Sequence, residues 1–303
     1  MTVAPIDALA PALGGRYRDG VVSVRRRGPG GRRVGVTRTE HFDLGRDRDG
    51  DLVLEHGLTL AEVDDDLAGL LSAELFEPGW LRGSELFERV FTGVVLTCAD
   101  DPQEAWEAFY TNTLAAVGAA ASGGGPPEDT SGHGSIRDYA PVYAHAESLV
   151  SGREVLELGS CFGFLALRVA AGGRSVTASD ISAGTMRLLA AMAPRLGVHL
   201  GTLTCGAAHV PLPDRSVDTV LAVHLLEHLE PEHADLVVAE ACRLADRRVV
   251  VAVPLEDHPS EQYGHVWAIT LETLRGWGEV AGPCWRADVH ELHGGWLVLD
   301  RLG

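Results

Sequence analysis

Beyond Gly152 the chain alternates between short apolar runs and longer amphipathic segments. Glu154–Leu158, Ser175–Ser179, Leu200–Cys205, Val217–Val223 and Val249–Val253 read as strands. Gly163–Ala171, Thr185–Leu196 and Pro231–Ala245 carry apolar residues at helical spacing and read as the helices between them. Strands that are apolar almost throughout need cover on both faces. The alternation therefore predicts a parallel sheet with helices on each side.

The first part of the chain has a different rhythm. Val21–Val24, Val34–Val36 and Leu52–Leu54 are short β-prone runs separated by Gly, Pro and Asp. A helix is expected from Thr59, where T-L-A-E sets Glu62 three residues after a Thr cap. It would carry the stripe Leu60, Val63, Leu67, Leu70 and Leu71 and stop at Pro78-Gly79. A second helix is expected from Asp101-Pro102, with Trp106, Phe109, Tyr110, Leu114 and Val117 on one face. Both stripes are read as core. Ser122–Gly134 (SGGGPPEDTSGHG) has the composition of a linker. The expected organisation is a small α+β module over 1–121, a linker over 122–134 and a second domain over 135–303, with no internal repeat.

Composition narrows the function classes. A formal charge of −18 and a pI near 5.0 oppose a nucleic-acid partner, which needs a clustered basic surface. The basic cluster Arg25, Arg26, Arg27, Arg32 and Arg33 is split by Gly-Pro-Gly-Gly and reads as a solvated hairpin. No lysine occurs, a codon bias of GC-rich, actinobacterial type, so Schiff-base and P-loop lysine chemistry drop out. The 5 cysteines (Cys98, Cys161, Cys205, Cys242 and Cys284) are scattered without a C-x-x-C pair and read as reduced thiols. With no signal-peptide pattern and no apolar run long enough to span a bilayer, the expectation is a cytoplasmic protein without membrane insertion.

The densest chemical signal is EVLELGSCFGFLALRVA. A strand ends at Leu158, a loop holding Gly159, Ser160, Cys161 and Gly163 follows, and a helix starts at once. Glycine there lets backbone approach a ligand, and the helix start offers N–H groups. A pyrophosphate site would need G-x-G-x-x-G, whereas Glu157 stands two residues before the first glycine and suits a cationic amino-acid moiety.

These residues resemble the class I S-adenosylmethionine-dependent methyltransferases, whose first loop is usually E/D-x-G-x-G-x-G. The resemblance covers roughly 135–303. Asp180, ending SVTASDIS and followed by Ile181, stands where that family's acidic residue binds the two ribose hydroxyls. HVPLPDRSVDTVLAVHLLEHL matches its L-P-x-x-D-x-S-x-D and L-E-H segments; GHVWAITLETL and the terminal hairpin HELHGGWLVLD also resemble it. The resemblance implies a Rossmann-like α/β sheet of seven strands, one antiparallel near an edge, and S-adenosyl-L-methionine as cofactor. It departs in two places: Cys161 replaces the middle glycine, and Gly206 stands where an adenine-binding Asp is common. Adenine contact would then pass to the backbone of Gly206 and Ala207.

For an oxygen acceptor a histidine is the natural base near neutral pH. His224 follows the fourth strand and His265 the fifth, both at the carboxyl edge where such sheets bind ligands. His224, Glu227 and His228 stand at i, i+3, i+4, so one helical turn would point them the same way. His224, His265 and His228 are the catalytic candidates, with Glu227 and His228 alternatively bracing the loop. Some ubiquinone-pathway O-methyltransferases hold a divalent ion on a similar E-x-x-E-H; His224 in place of the first carboxylate weighs against that, and no metal is expected. His290 and His293 read as structural or substrate-lining, and His233 as surface.

A narrower resemblance spans almost the whole chain. The N-terminal module, GSIRDYAPVYAHAESLV, VLELGSCFGFLALR and HGGWLVLDR together look like the actinobacterial methyltransferases of the mycofactocin oligosaccharide. That implies methylation of a glucose hydroxyl on a small-molecule glycan or glycosylated redox cofactor. The rival readings are a C- or N-methyltransferase of another metabolite and a non-catalytic module that binds the cofactor.

Overall fold

Two units, Met1–Ala140 and Pro141–Gly303, make up the computed structural model, which describes residues 6–12, 14–28, 36–121, 139–260 and 264–303. The 122–134 linker, the 135 domain start, Arg32, Arg33 and most of the Val34–Val36 run fall outside the described residues.

The first unit holds a five-stranded sheet of β1 (Arg16–Arg18), β2 (Val22–Arg26), β3 (Thr37–Arg38), β4 (Phe42–Arg46) and β5 (Leu52–His56). Its order is β1-β2-β5-β4-β3, with β2 and β5 parallel. Among the described residues β2 pairs with β1 and β5 and β3 pairs with β4, while the turn of the expected arginine hairpin lies outside the described residues. Of the described arginines in that cluster, Arg25 pairs with Glu55 across the sheet, and Arg27 Nε donates to Asp43 at 2.9 Å.

The helix expected from Thr59 begins later, as α1 (Asp66–Leu71) continuing into a π-helical turn, Ser72–Phe76. The Thr59 cap is real but closes an isolated turn, its N–H and Oγ1 both donating to Glu62. Asp64 then accepts from the Asp66 N–H at 3.1 Å, starting a new helix rather than extending the turn. Next comes α2 (Ser84–Thr97), which hydrophobic spacing did not announce because it is buried continuously from Arg89 to Thr97. It lies so close to the sheet that a Cβ on Gly93 would stand 2.6 Å from Val24. Arg89, 2% exposed, is neutralised by Asp19 at 2.7 Å and Glu85 at 2.9 Å. α3 (Pro102–Ala121) starts where expected and buries Trp106, Phe109, Tyr110 and Val117, confirming that stripe as core.

The second unit opens with α4 (Ala140–Leu149) and runs β6 (Glu154–Leu158), α5 (Phe164–Ala171), β7 (Ser175–Asp180), α6 (Ala183–Arg195), β8 (Gly201–Thr204), β9 (Val217–Val223), α7 (Pro231–Leu244), β10 (Ala245–Val253), α8 (Leu271–Val280), β11 (Trp285–Glu291) and β12 (Gly295–Arg301). The sheet order is β11-β12-β10-β9-β6-β7-β8. Strands β6 to β10 are mutually parallel, and β12 runs antiparallel to both neighbours. This is the expected Rossmann-like arrangement, with the antiparallel strand one place from the edge. The core packs Val220, Ala222, Val249, Val251 and Val253 against Ala234, Val237 and Ala241 of α7.

From β6 the chain steps one way to β7 and β8, then returns to β9 on the other side. That reversal opens a crevice at the carboxyl ends of β6 and β9, the place where open α/β sheets hold ligands. Caps fix the helices around it. Ser182 Oγ accepts from the Thr185 N–H to start α6, and Thr270 and Thr273 form a reciprocal cap on α8. Among the described residues no helix is long and apolar enough to cross a membrane.

Candidate functional site

Glu157, one residue before the end of β6, points inward, 5% exposed, with Oε2 lacking any hydrogen-bond partner. Burial pushes its carboxyl up to about 8; the Ala166 backbone N–H opposes the shift and nearby Asp180 adds to it. The glycine loop then turns sharply, with Gly159 at φ 67° and Gly163 at φ 77°. A Cβ on Gly163 would lie 2.4 Å from Leu189 Cδ2, and one on Gly159 would lie 2.6 Å from Leu225 Cδ1. Glycine is thus required by both conformation and space.

Cys161 takes a backbone conformation that glycine favours. It sits at φ 48°, in the left-handed region, with an exposed side chain. The Cys161 N–H donates to Asp180 Oδ2 at 3.0 Å, and the Ser182 N–H donates to Oδ1 at 2.8 Å. Asp180 therefore ties the loop after β6 to the end of β7 with its carboxylate presented at the crevice. Ile181 beside it is 81% exposed, a large apolar side chain left on the surface. Ser160 is buried, its N–H bound to the Ser179 carbonyl and its Oγ turned to Met186 Sδ at 4.0 Å. Past β8, Gly206 is exposed with nothing within 4 Å of its would-be Cβ, and its carbonyl accepts from the His209 N–H. Ala207 follows, partly buried against the core.

On the other side of the crevice the helical turn expected for His224, Glu227 and His228 is not formed as drawn. A 3₁₀ turn covers only Leu226–His228, and His224 precedes it at φ 51°. This left-handed residue breaks the i, i+3, i+4 register, a costly conformation of the kind that collects at functional sites. His224 Nδ1 still lies 3.2 Å from Glu227 Oε1, within ion-pairing distance but without hydrogen-bond alignment. Glu227 is 1% exposed and neither of its oxygens has a hydrogen-bond partner. The group that comes together instead is Glu227, His228 and His265.

His265 reaches the site because its loop is pinned to that turn. The Val266 N–H donates to the Glu227 carbonyl at 2.9 Å and Trp267 Nε1 to the Leu226 carbonyl at 3.1 Å. Its Nδ1 faces Glu256 Oε2 at 2.8 Å, a partner that sequence reading missed although Glu256 follows a strand end. His290 lies elsewhere, against His145 at 2.9 Å and stacked on Trp296, while His233 is exposed on α7.

A family model described as "Methyltransferase domain" matches residues 156–253, from the strand carrying Glu157 to the last parallel strand. The matched segment contains Glu157, the glycine loop, Asp180 and Glu227. A curated relative from Mycolicibacterium smegmatis, named "Probable S-adenosylmethionine-dependent methyltransferase", is 36% identical over 94 residues, which is 31% of this chain and 35% of that protein. The chain thus spans about a third of that relative's length. Among solved structures, magnesium protoporphyrin IX methyltransferase from Synechocystis PCC 6803 with bound SAH is 19% identical, covering 55% of this chain and 81% of that one at TM-score 0.44. A SAM-dependent methyltransferase from Methanosarcina mazei is 17% identical, covering 53% and 98% at TM-score 0.45.

The residues at this crevice suit S-adenosylmethionine. A buried carboxylate with one unpartnered oxygen, a glycine loop without room for a side chain at Gly159 or Gly163, a second carboxylate at the next strand end and open space over Gly206 line one half of the crevice.

Proposed function

We propose that this chain transfers a methyl group from S-adenosylmethionine to a hydroxyl of a small-molecule glycan, with a glucose of the mycofactocin oligosaccharide as the substrate. The observation that carries the reading is the division of the crevice: carboxylates and glycines on the β6–β7 side, histidines on the β9–β10 side. Glu157 and Asp180 would hold the cofactor's amino-acid and ribose ends. Gly159, Ser160, Cys161 and Gly163 would shape the floor beneath it, and Ile181, Gly206 and Ala207 would border the adenine. When bound, the cofactor supplies a sulfonium methyl ready for in-line displacement.

The chain's own task is then to place and deprotonate the acceptor. Positioning supplies much of the rate in such a displacement. An alcohol stays protonated at neutral pH, so a base within reach adds to it. His224, half-buried at the crevice and set beside Glu227, is the better placed of the histidines; His265 is 7% exposed and faces Glu256. The exposed His228 borders the acceptor. The mycofactocin glycan comes from sequence resemblance, and a histidine-lined acceptor side supports an oxygen nucleophile over nitrogen or carbon.

Incubating the full chain with S-adenosylmethionine and glucose oligosaccharides, then reading products by mass spectrometry, tests this. A gain of one CH2 on a glucosyl unit is expected, and His224→Gln should lower turnover roughly 10²- to 10⁴-fold with cofactor affinity retained. Methylation confined to nitrogen or carbon acceptors would refute the oxygen assignment.

A further inference from the structure

We propose that Glu227, His228 and His265 bind a divalent transition-metal cation of the zinc class at the carboxyl edge of the sheet. One ligand atom from each lies within 4.8 Å of the others. Two imidazoles and one carboxylate match borderline cations, which accept nitrogen and oxygen together. Mg²⁺ and Ca²⁺ prefer all-oxygen cages and suit this donor set poorly.

The independent observation is Glu227. Its carboxylate is 1% exposed, and neither oxygen receives a hydrogen bond. A buried carboxylate without compensation is among the costliest arrangements a fold can carry. His224 is the nearest cationic candidate on its own segment, and its Nδ1 is misaligned at 3.2 Å. An ion between Glu227 and the two rings removes that cost directly.

The histidines are braced in the manner of metal ligands. His265 Nδ1 faces Glu256 Oε2 at 2.8 Å, and His228 Nδ1 faces the Gly264 carbonyl at 3.3 Å. An oxygen acceptor on Nδ1 selects the tautomer whose lone pair is on Nε2 and fixes the ring plane. The two rings stand 5.0 Å apart at 75°. The backbone bonds from Val266 to Glu227 and from Trp267 to Leu226 hold the two loops together independently of any ion. Metal–ligand bonds of about 2.0–2.2 Å would draw the donor atoms to roughly 3–3.5 Å apart. His228 is the exposed member of the group, and Glu227 and His265 are buried.

The role of the ion rests on the methyl-transfer reading; the site itself does not. An acceptor hydroxyl entering an open position becomes more acidic, as metal-bound water does. Its proton passes to His224, the O–CH3 bond forms as the S–CH3 bond breaks, and a neutral thioether leaves.

Tag-free full-length protein, stripped with chelator, is titrated with Co²⁺ while visible d–d absorption is followed, and Zn²⁺ is then added in competition. One ion per chain is expected, displaced by Zn²⁺. His228→Ala, at an exposed position, should weaken binding about 10- to 100-fold or more in a protein that melts as a folded chain, as should Glu227→Gln. His233→Ala should bind like wild type. No saturable Co²⁺ binding, or binding unchanged in both His228→Ala and Glu227→Gln, overturns the site. S-adenosylhomocysteine affinity is measured on the same samples. Asp180→Ala should lose the nucleoside and keep the ion, so failure of the metal site and failure of the methyltransferase reading give different results.

Discussion

Replacing Glu157 with Gln should make the ligand-free protein more stable as pH rises, and the gain follows from the buried carboxyl. Its folded value near 8 lies above the unfolded value of 4.5. Between those limits the unfolded chain has released the proton while the folded chain keeps it, so wild-type stability falls as pH rises through that window. The slope is about 1.4 kcal/mol per pH unit. Relative to a neutral Gln of the same shape, the penalty is roughly 2 kcal/mol at pH 6 and about 4 at pH 8, with rearrangement around the charge reducing the upper figure. For a unit of this size each kcal/mol moves the melting temperature by about 2–4 °C. Thermal melts of wild type and Glu157→Gln at pH 4, 6, 7 and 8 should therefore coincide near pH 4 and diverge by roughly ten degrees at pH 8. If Glu157 holds the cofactor's ammonium group, as proposed, the ionised carboxylate is the binding form, so wild-type affinity for S-adenosylhomocysteine should rise from pH 6 to 8 and the variant's should not. Parallel melting curves at every pH would show that Glu157 is not held protonated, and the electrostatic reading of the loop would fail.

Gly163→Ala should destabilise the second unit by about 1–3 kcal/mol, because its Cβ meets Leu189 at 2.4 Å and its φ is positive; a melting temperature within error of wild type would contradict the close approach. Cys161→Gly should raise stability by about 0.5–1 kcal/mol, as relief of a left-handed non-glycine residue exceeds glycine's entropic cost. Denaturant midpoints that fall instead would mean that the thiol makes a contact worth more than the strain. His224→Gln and His265→Gln should separate in steady-state kinetics, the first losing kcat with an intact melting temperature and the second losing both.

The parallel strands were legible because each is a continuous apolar run bounded by turns, and β6 and β9 end at the residues expected. Legibility failed where burial is complete without periodicity. In α2 the run V-V-L-T is apolar on every side and β-branched, so it carries neither a helical stripe nor a strand alternation. β1 is too short to show a period, with only Tyr17 buried. At the site, Glu157 and Asp180 could be placed because each stands at or next to the end of a readable strand. The Glu227–His228–His265 group could not, since the backbone bonds from Val266 and Trp267 bring His265 in from far along the chain. The triplet seen in sequence assumed a regular turn, and the positive φ of His224 breaks it. The aspartates at 64–66 likewise restart a helix that the Thr59 cap had announced too early.

Isothermal titration of S-adenosylhomocysteine into the full chain and into Asp180→Ala tests the assignment of the second unit most directly. Wild type should bind one equivalent. Loss of a charge-assisted contact worth roughly 1.5–3 kcal/mol should weaken Asp180→Ala by about 10- to 100-fold in a protein that melts as a folded chain. Absence of binding to wild type, or equal affinity in the folded variant, would contradict the cofactor site placed between β6 and β7.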